Sequence, residues 1–314
     1  MPFSKAKLSL WVWGVRTVLR HRRPDVALAF LGGLGDELLC TAPLVEWRQR
    51  GARNIWIRTH RPELFAGLDR AAQILPDSAR CDRLASRLGR PFRYLSYSRY
   101  DEAGDRDEPL ARHVIAEMCA RAGLTGAVTL RPHWRVSATE RARAAAWHDC
   151  IAINTSTLVA RVPMLNKQWP AARFQAVVDH FGSRFKFVQL GAPADPPLRG
   201  TTDLRGQTSL RETAAILHGC RAFIGLVGFL MHLARAVECP AAIVYGGREP
   251  PELTGYPCNE NVALRPACAP CWQRSRCEHD HACMAEIDAA RVIAAVERVL
   301  TRPRGPLLES EATL

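Results

Sequence analysis

Val26 to Arg50 reads VALAFLGGLGDELLCTAPLVEWRQR. The run from Val26 to Phe30 is apolar and short, as a strand buried in a parallel sheet should be. Gly32, Gly33 and Gly35 follow it, and glycines let a chain turn sharply and let a ligand approach the backbone. A helical pattern then begins. Strand, glycine turn and helix in that order predict the opening unit of an α/β domain, with Asp36 at the helix start and facing the cleft at the strand ends. The alternative is a plain glycine turn with Asp36 as helix N-cap. The turn lacks the clean G-x-G-x-x-G of a dinucleotide-binding loop.

Outward from this stretch the same grammar recurs. Residues 52–59 (ARNIWIRT) read as a second strand, and alternation continues less clearly to about Leu130. Residues 99–109 (RYDEAGDRDEP) form a charged loop. A boundary is expected within 131–149, RPHWRVSATERARAAAWHD. The second half restarts: strands at 150–154, 185–190, 222–226 and 241–245, helices at 171–181, 210–218, 229–237 and 288–300. The 314 residues exceed the ~100–200 of one domain. The expectation is two Rossmann-like domains, 25–145 and 146–300, preceded by a basic amphipathic helix (1–24) and followed by a flexible tail (301–314).

Forty-three Lys and Arg against thirty-one Asp and Glu leave a net charge of +12, which favours anionic partners. Aromatics are 7% of the chain and no nucleic-acid-reading pattern stands out, so nucleic acid is not expected as a partner. No run of ~18 apolar residues predicts a membrane span, and Leu8–Leu19, interrupted by Arg16, lacks the layout of a signal peptide. A cytoplasmic protein is expected. Trp11 and Trp13 among Lys5, Lys7, Arg16, Arg20, Arg22 and Arg23 also suit a helix lying on an anionic membrane surface; the alternative is a helix packed on the first domain.

Two further segments carry chemistry. Residues 154–170 read NTSTLVARVPMLNKQWP. The hydroxyls of Thr155, Ser156 and Thr157 follow a strand, and Lys167 stands just before the Trp169-Pro170 start of a helix. Hydroxyls, an ammonium and a helix N-terminus suit a diphosphate; a polar loop before a proline-started helix is the alternative. Residues 203–236 hold a capping box, Ser209 with Glu212. A strand-to-helix turn at Gly225–His232 follows, directing backbone amides at the cleft. A lone histidine such as His232 on that helix is more often structural.

These three segments, in this order, resemble glycosyltransferase family 9, which includes the heptosyltransferases of the lipopolysaccharide inner core. Gly35-Asp36 with Thr41-Ala42-Pro43 resembles the family's first motif. Lys167-Gln168-Trp169-Pro170 with Phe174 resembles the second. His232 and the residues before it resemble the third, except that Val227-Gly228-Phe229 stand where the family commonly has Asp-Thr-Gly. The resemblance covers roughly residues 25–300. It implies a GT-B fold, with two facing Rossmann-like domains and a C-terminal helix crossing back to the first. It also implies inverting sugar transfer without a catalytic cofactor. By the same resemblance Asp36 is the general base, and Gly33 and Gly35 line the acceptor side of the cleft. Thr155–Thr157, Lys167, Asp195, the amides of Gly228, Phe229 and Leu230, and His232 hold a nucleotide diphosphate sugar of the ADP-heptose type. The acceptor is a glycan or lipid-linked glycan. The altered third motif leaves the donor sugar open. It also keeps a non-catalytic or protein-glycosylating relative as an alternative, and a Rossmann oxidoreductase is the reading from another class.

Eleven cysteines remain. Cys268, Cys271, Cys277 and Cys283 have spacing typical of a four-thiolate metal site, expected to be structural zinc or iron. Four unrelated thiols are the alternative. The element resembles one found in autotransporter heptosyltransferases, with different spacing. Cys40, Cys81, Cys119, Cys150, Cys220 and Cys239 read as small buried hydrophobes.

Overall fold

The computed structural model describes residues 14–18, 22–30, 32–68, 72–75, 78–160, 162–303 and 305–314. Most of the expected N-terminal basic helix therefore lies outside the described residues; positions 14–18 are helical. Among the described residues no helix is long and apolar enough to cross a membrane.

Two parallel sheets organise the chain. The first has the order β3-β2-β1-β4, built from β1 (Val26–Phe30), β2 (Ile55–Thr59), β3 (Ala72–Leu75) and β4 (Arg93–Tyr94). Every residue of β1 and β2 is buried, which is why both read as near-continuous apolar runs. The second sheet has the order β10-β9-β8-β11-β12-β13. Its strands are β8 (Cys150–Ile153), β9 (Lys186–Gln189), β10 (Thr201–Asp203), β11 (Ala222–Leu226), β12 (Ala241–Tyr245) and β13 (Glu260–Ala263). Order reverses beside β8, so the ends of β8 and β11 open a crevice at a topological switch point. This is the expected architecture of two Rossmann-like domains.

Three boundaries differ from expectation. The helix Ala138–Ala144, assigned to the first domain, packs on the second. Arg211 of the helix Leu210–Gly219 grips Glu140 with Nε at 2.6 Å and Nη2 at 2.7 Å. A side chain on Gly219 would strike the Ala144 carbonyl. The helix Ala289–Thr301 does not cross back; its buried face, including Val292, Val296 and Val299, joins the second domain's core. The crossing is made by the tail, expected to be loose. Within it β14 (Glu311–Thr313) pairs antiparallel with β7 (Ala127–Thr129) of the first domain. Charge holds it there: Arg131 meets Glu309 at 2.7 Å, and buried Arg235 meets Glu238 at 3.2 Å and Glu309 at 3.3 Å. The six scattered cysteines are all buried, as is Cys258.

The charged loop also becomes structure. Tyr100–Asp101 (β5) and Arg106–Asp107 (β6) form a two-stranded hairpin. The cysteine-rich segment of the second domain docks on it. Ser275 and Arg276 donate their amides to the Asp105 carboxylate, each at 2.7 Å, and Arg274 donates its amide to the Asp105 carbonyl at 3.0 Å.

Candidate active site

Asp36 is the third residue of the helix Leu34–Leu39, and Gly33, not Asp36, occupies the N-cap. The carboxylate folds back to accept the Gly33 amide at 2.9 Å. A Cβ on Gly32 would lie 2.8 Å from the Asp36 Cβ, so a glycine is needed where the side chain folds over the turn. Burial raises the Asp36 carboxyl above its ordinary value, against the opposing pull of the Gly33 amide, the Tyr97 hydroxyl and the charge of Lys167. The neighbouring Glu37 is engaged elsewhere: it is fully buried and pairs with Arg61 at 2.6 Å.

Across the cleft stands the amino end of the helix Phe229–Ala236, capped by Gly228 in an extended conformation. The two glycine turns meet closely, a Cβ on Gly35 lying only 3.5 Å from the Phe229 Cα. Between the domains runs a cavity of about 750 Å³, lined among others by Asp36, Tyr97, Lys167, Gly228 and Phe229. Unpaired amides and the helix dipole make such an end a seat for anionic groups. Gly33, Gly35, Ser156, Thr157, Asp195, Leu230 and His232 also line this cavity, so the folded chain brings together most of the site residues expected from sequence.

Some of these residues have other commitments. Thr155 does not line the cavity; its hydroxyl donates to the Pro196 carbonyl at 2.8 Å behind the loop. Gln168 ties down the other two hydroxyls, accepting from Ser156 at 3.1 Å and donating to Thr157 at 2.8 Å. Asp195 caps its own turn, accepting the Ala192 amide at 2.9 Å and the Asn154 side chain at 3.2 Å. Gly191 serves that turn: its φ is +137°, and a Cβ there would collide with Asp195. His232 lies against the Tyr256 hydroxyl at 2.7 Å, and burial lowers its pKa to about 3, so it is neutral.

Lys167 is mostly buried and forms an ion pair with Glu249. Burial lowers the ammonium's pKa, and Glu249 opposes that. Glu249 also accepts Arg248 Nη1 at 2.7 Å. Arg248 reaches Asp107 of the first-domain hairpin, which Arg274 grips at 2.6 Å. A charge chain, Lys167–Glu249–Arg248–Asp107–Arg274, thus runs along the cleft from one domain to the other. None of Tyr97, Asp107, Arg248, Glu249 and Arg274 was a sequence candidate. For Arg248 and Glu249 a signal existed: they follow β12 at its carboxyl end, where α/β folds bind ligands. Tyr97 lies in irregular chain, and Asp107 in a strand of two residues, too short to show a period.

Cys268, Cys271, Cys277 and Cys283 line one smaller cavity of about 240 Å³ with Gly247 and His279. Among the described residues, however, no three His, Cys, Asp or Glu side chains are grouped closely enough to hold a metal. The expected four-ligand set is therefore gathered but not closed.

Similarity places this arrangement. Residues 129–281 match the family model described as glycosyltransferase family 9 (heptosyltransferase). No curated protein matches the chain by sequence. The family 9 glycosyltransferase from Veillonella parvula DSM 2008 superposes with a TM-score of 0.61 at 18% identity, covering 88% of this chain and 96% of that one. ADP-heptose LPS heptosyltransferase II from E. coli gives 0.60 at 15%, covering 88% and 98%. The iron-containing dodecameric glycosyltransferase TibC from enterotoxigenic E. coli H10407 gives 0.63 at 19%, covering 88% and 76%. Two facing parallel-sheet domains with the cavity between them are the GT-B fold of these glycosyltransferases. Within the chain, residues 129–281 match the glycosyltransferase family 9 (heptosyltransferase) domain.

Proposed function

We propose that this glycosyltransferase moves a heptose or related sugar, with inversion, from a nucleoside diphosphate to a hydroxyl of a cell-surface glycan or lipopolysaccharide acceptor. The observation that carries the reading is the buried Asp36 carboxyl, raised in pKa, set opposite the amino end of Phe229–Ala236 in one interdomain cavity. The acceptor oxygen attacks the anomeric carbon while Asp36 takes its proton, and the bond from that carbon to the diphosphate oxygen breaks. The nucleoside diphosphate leaves with the bonding pair. Charge growing on it falls within reach of the Gly228, Phe229 and Leu230 amides and of Lys167. Those amides act through backbone, so the contact survives without Asp and Thr side chains at Val227 and Gly228. ADP-heptose as donor is supported by two relatives: the E. coli LPS heptosyltransferase is named for it, and TibC has been solved with ADP-D-beta-D-heptose. Exposed Val159 and Val162 at the cavity wall suit an acceptor with an apolar part, such as a lipid-linked glycan.

The test is release of ADP from ADP-heptose, set against UDP- and GDP-sugars, with lipopolysaccharide core fragments as acceptors. Transfer from ADP-heptose that is lost in Asp36→Asn supports the reading; equal transfer by that variant overturns it.

The four cysteines we assign to one structural zinc or iron. Four thiols lining one cavity are a suitable donor set, and TibC is iron-containing. The catalytic carboxylate does not depend on such an ion. The reading extends to a cytoplasmic enzyme resting on an anionic membrane surface, supported by the net charge of +12 and the basic first 23 residues.

A further inference from the structure

A histidine can hold an anionic oxygen without carrying charge, provided its proton stands on the nitrogen that faces the ligand. We propose that His232 donates a neutral Nε2–H hydrogen bond to the diphosphate of the sugar donor, and that Tyr256, from outside the cavity, is the positioning residue that fixes this tautomer. The proposal rests on the reading of the cavity as a seat for a nucleoside diphosphate sugar. It adds to that reading the place of the proton and the residue behind it.

The placement follows from the fold. His232 is the fourth residue of the helix Phe229–Ala236, one turn in from the amino end at Gly228. It is 7% exposed and lines the interdomain cavity, whereas Tyr256 does not. The ring edge that carries Cδ2 and Nε2 faces the first domain's glycine turn: a Cβ on Gly35 would lie 3.6 Å from Cδ2. On the other edge Nδ1 lies 2.7 Å from the Tyr256 hydroxyl, the two rings T-shaped with centroids 5.8 Å apart. Tyr256 is itself held firmly. It follows the short helix Pro251–Thr254 and Gly255, where a Cβ would strike the Tyr245 hydroxyl. The Gly255 carbonyl accepts from Nε2 of His113, a first-domain residue, at 2.8 Å. The Tyr256 carbonyl accepts the Asn259 amide and the Asn261 side chain, each at 3.1 Å.

The contact assigns the proton. Tyr256 is buried, and among the described residues its hydroxyl has no other hydrogen-bond partner. A buried O–H is rarely left without an acceptor. Were the proton on Nδ1, that nitrogen would donate to the phenol oxygen and the phenol's own proton would have nowhere to go. Tyr256 therefore donates, Nδ1 accepts, and the proton of the neutral ring stands on Nε2. The ring is neutral because burial, then the charges of Lys167 and His113, lower its pKa to about 3. Nε2 has no partner among the described residues, and it is not one of the polar atoms sealed away from solvent. Its N–H is thus a spare donor on a buried ring, in the wall of the cavity and one turn from the Gly228–Leu230 amides. A charged phosphate oxygen is a stronger acceptor for it than a sugar hydroxyl. A histidine present only for packing would need neither a hydroxyl on one nitrogen nor an open edge at the other.

The experiment uses the full-length protein with nitrogen-15 in its histidine rings. Long-range proton–nitrogen spectra of the ligand-free protein show which ring nitrogen is protonated, His232 being identified by its loss in His232→Gln. The expected result is Nε2–H, with the Nδ1 resonance displaced from that of a free pyridine-type nitrogen by the Tyr256 hydrogen bond. Adding the tightest binding of ADP, UDP and GDP should move the Nε2–H proton downfield. In Tyr256→Phe, which keeps the ring and removes the hydroxyl, Nδ1 should return to the free position. Affinity for the same diphosphate by calorimetry should fall on the order of tenfold, the scale of one hydrogen bond. His232→Asn should lose as much, whereas His232→Gln, which can offer an amide N–H near the Nε2 position, should lose less. Should Tyr256→Phe fail to fold, the wild-type spectra and the Asn and Gln variants carry the test. Wild type that binds a diphosphate with the His232 proton on Nδ1 overturns the proposal, as does Tyr256→Phe binding it as tightly as wild type. Wild type that binds none of the three diphosphates sinks the donor reading itself.

Discussion

Lys167 of the second domain is ion-paired with Glu249 before any donor arrives, and both side chains are mostly buried. A free lysine could be removed at little cost. This one cannot, because its loss leaves Glu249 with Arg248 as its remaining charge partner. Breaking one partner from a buried pair costs about 3–5 kcal/mol, and the Arg248 contact puts the expected loss for Lys167→Ala near ~3 kcal/mol. The double variant Lys167→Ala/Glu249→Gln should regain most of that stability but not the donor affinity. Denaturant melts and ADP calorimetry on the three proteins separate the two effects. Equal ADP affinity in wild type and double variant would remove Lys167 from the donor site.

Asp36→Asn should keep the fold, because an amide can still accept the Gly33 N–H through its oxygen. Turnover should drop by about 10²–10⁴, the range for a lost general base. ADP affinity should hold or rise slightly, since a buried negative charge has left the cleft. Single-turnover kinetics at saturating donor are the check.

Acid should destabilise the folded chain through two buried histidines. Burial lowers His113 to about 4, although its Nε2 lies 2.8 Å from the Gly255 carbonyl, and lowers His232 to about 3. Both start from an ordinary 6.5, so between 6.5 and about 4 the unfolded chain binds protons that the folded chain refuses. Stability is thus fully present above pH 6.5 and declines as pH falls toward 4. Thermal melts across that window should show the decline, and His113→Gln should make it shallower. A melting temperature with the same pH slope in both proteins would contradict the assignment.

Deleting residues 306–314 should cost about 3 kcal/mol or more. The strand partner of Val128 is lost, and Arg131 and the buried Arg235 lose Glu309. A tail that merely hung free could be removed without effect. Chemical denaturation of the truncated chain decides between the two.

Metal analysis should find about one zinc or iron per chain, the content of a single four-thiolate site. Cys271→Ser should release it and lower the melting temperature, because metal binding to the folded loop is folding energy. The same loop supplies Arg274 to Asp107 and the Ser275 and Arg276 amides to Asp105, so amide exchange should also quicken over residues 99–108. A metal-free protein with full activity and an unchanged melt would refute the site.

Local pattern alone determined much of this molecule. The apolar runs at Val26–Phe30, Ala222–Leu226 and Ala241–Tyr245 are strands over those same residues, because a strand buried on both faces leaves an unbroken apolar signature. The glycine turn, Asp36 at its end and the helix starts at Ala171 and Leu210 were legible for a similar reason: turns and caps are made by residues a few positions apart. The tertiary structure alone decided the rest. Thr155 follows the same strand as Ser156 and Thr157, yet its hydroxyl turns to Pro196, forty-one positions away. Glu249 is the partner of Lys167 only because β12 ends beside the loop after β8. The charged stretch at 99–109 holds the cysteine-rich loop, and the polar tail becomes a strand of the far domain, because ion pairs and sheet edges recruit partners by position in space. No period in the sequence records such a partner, since the pairing energy exists only after the backbone has brought the two charges together.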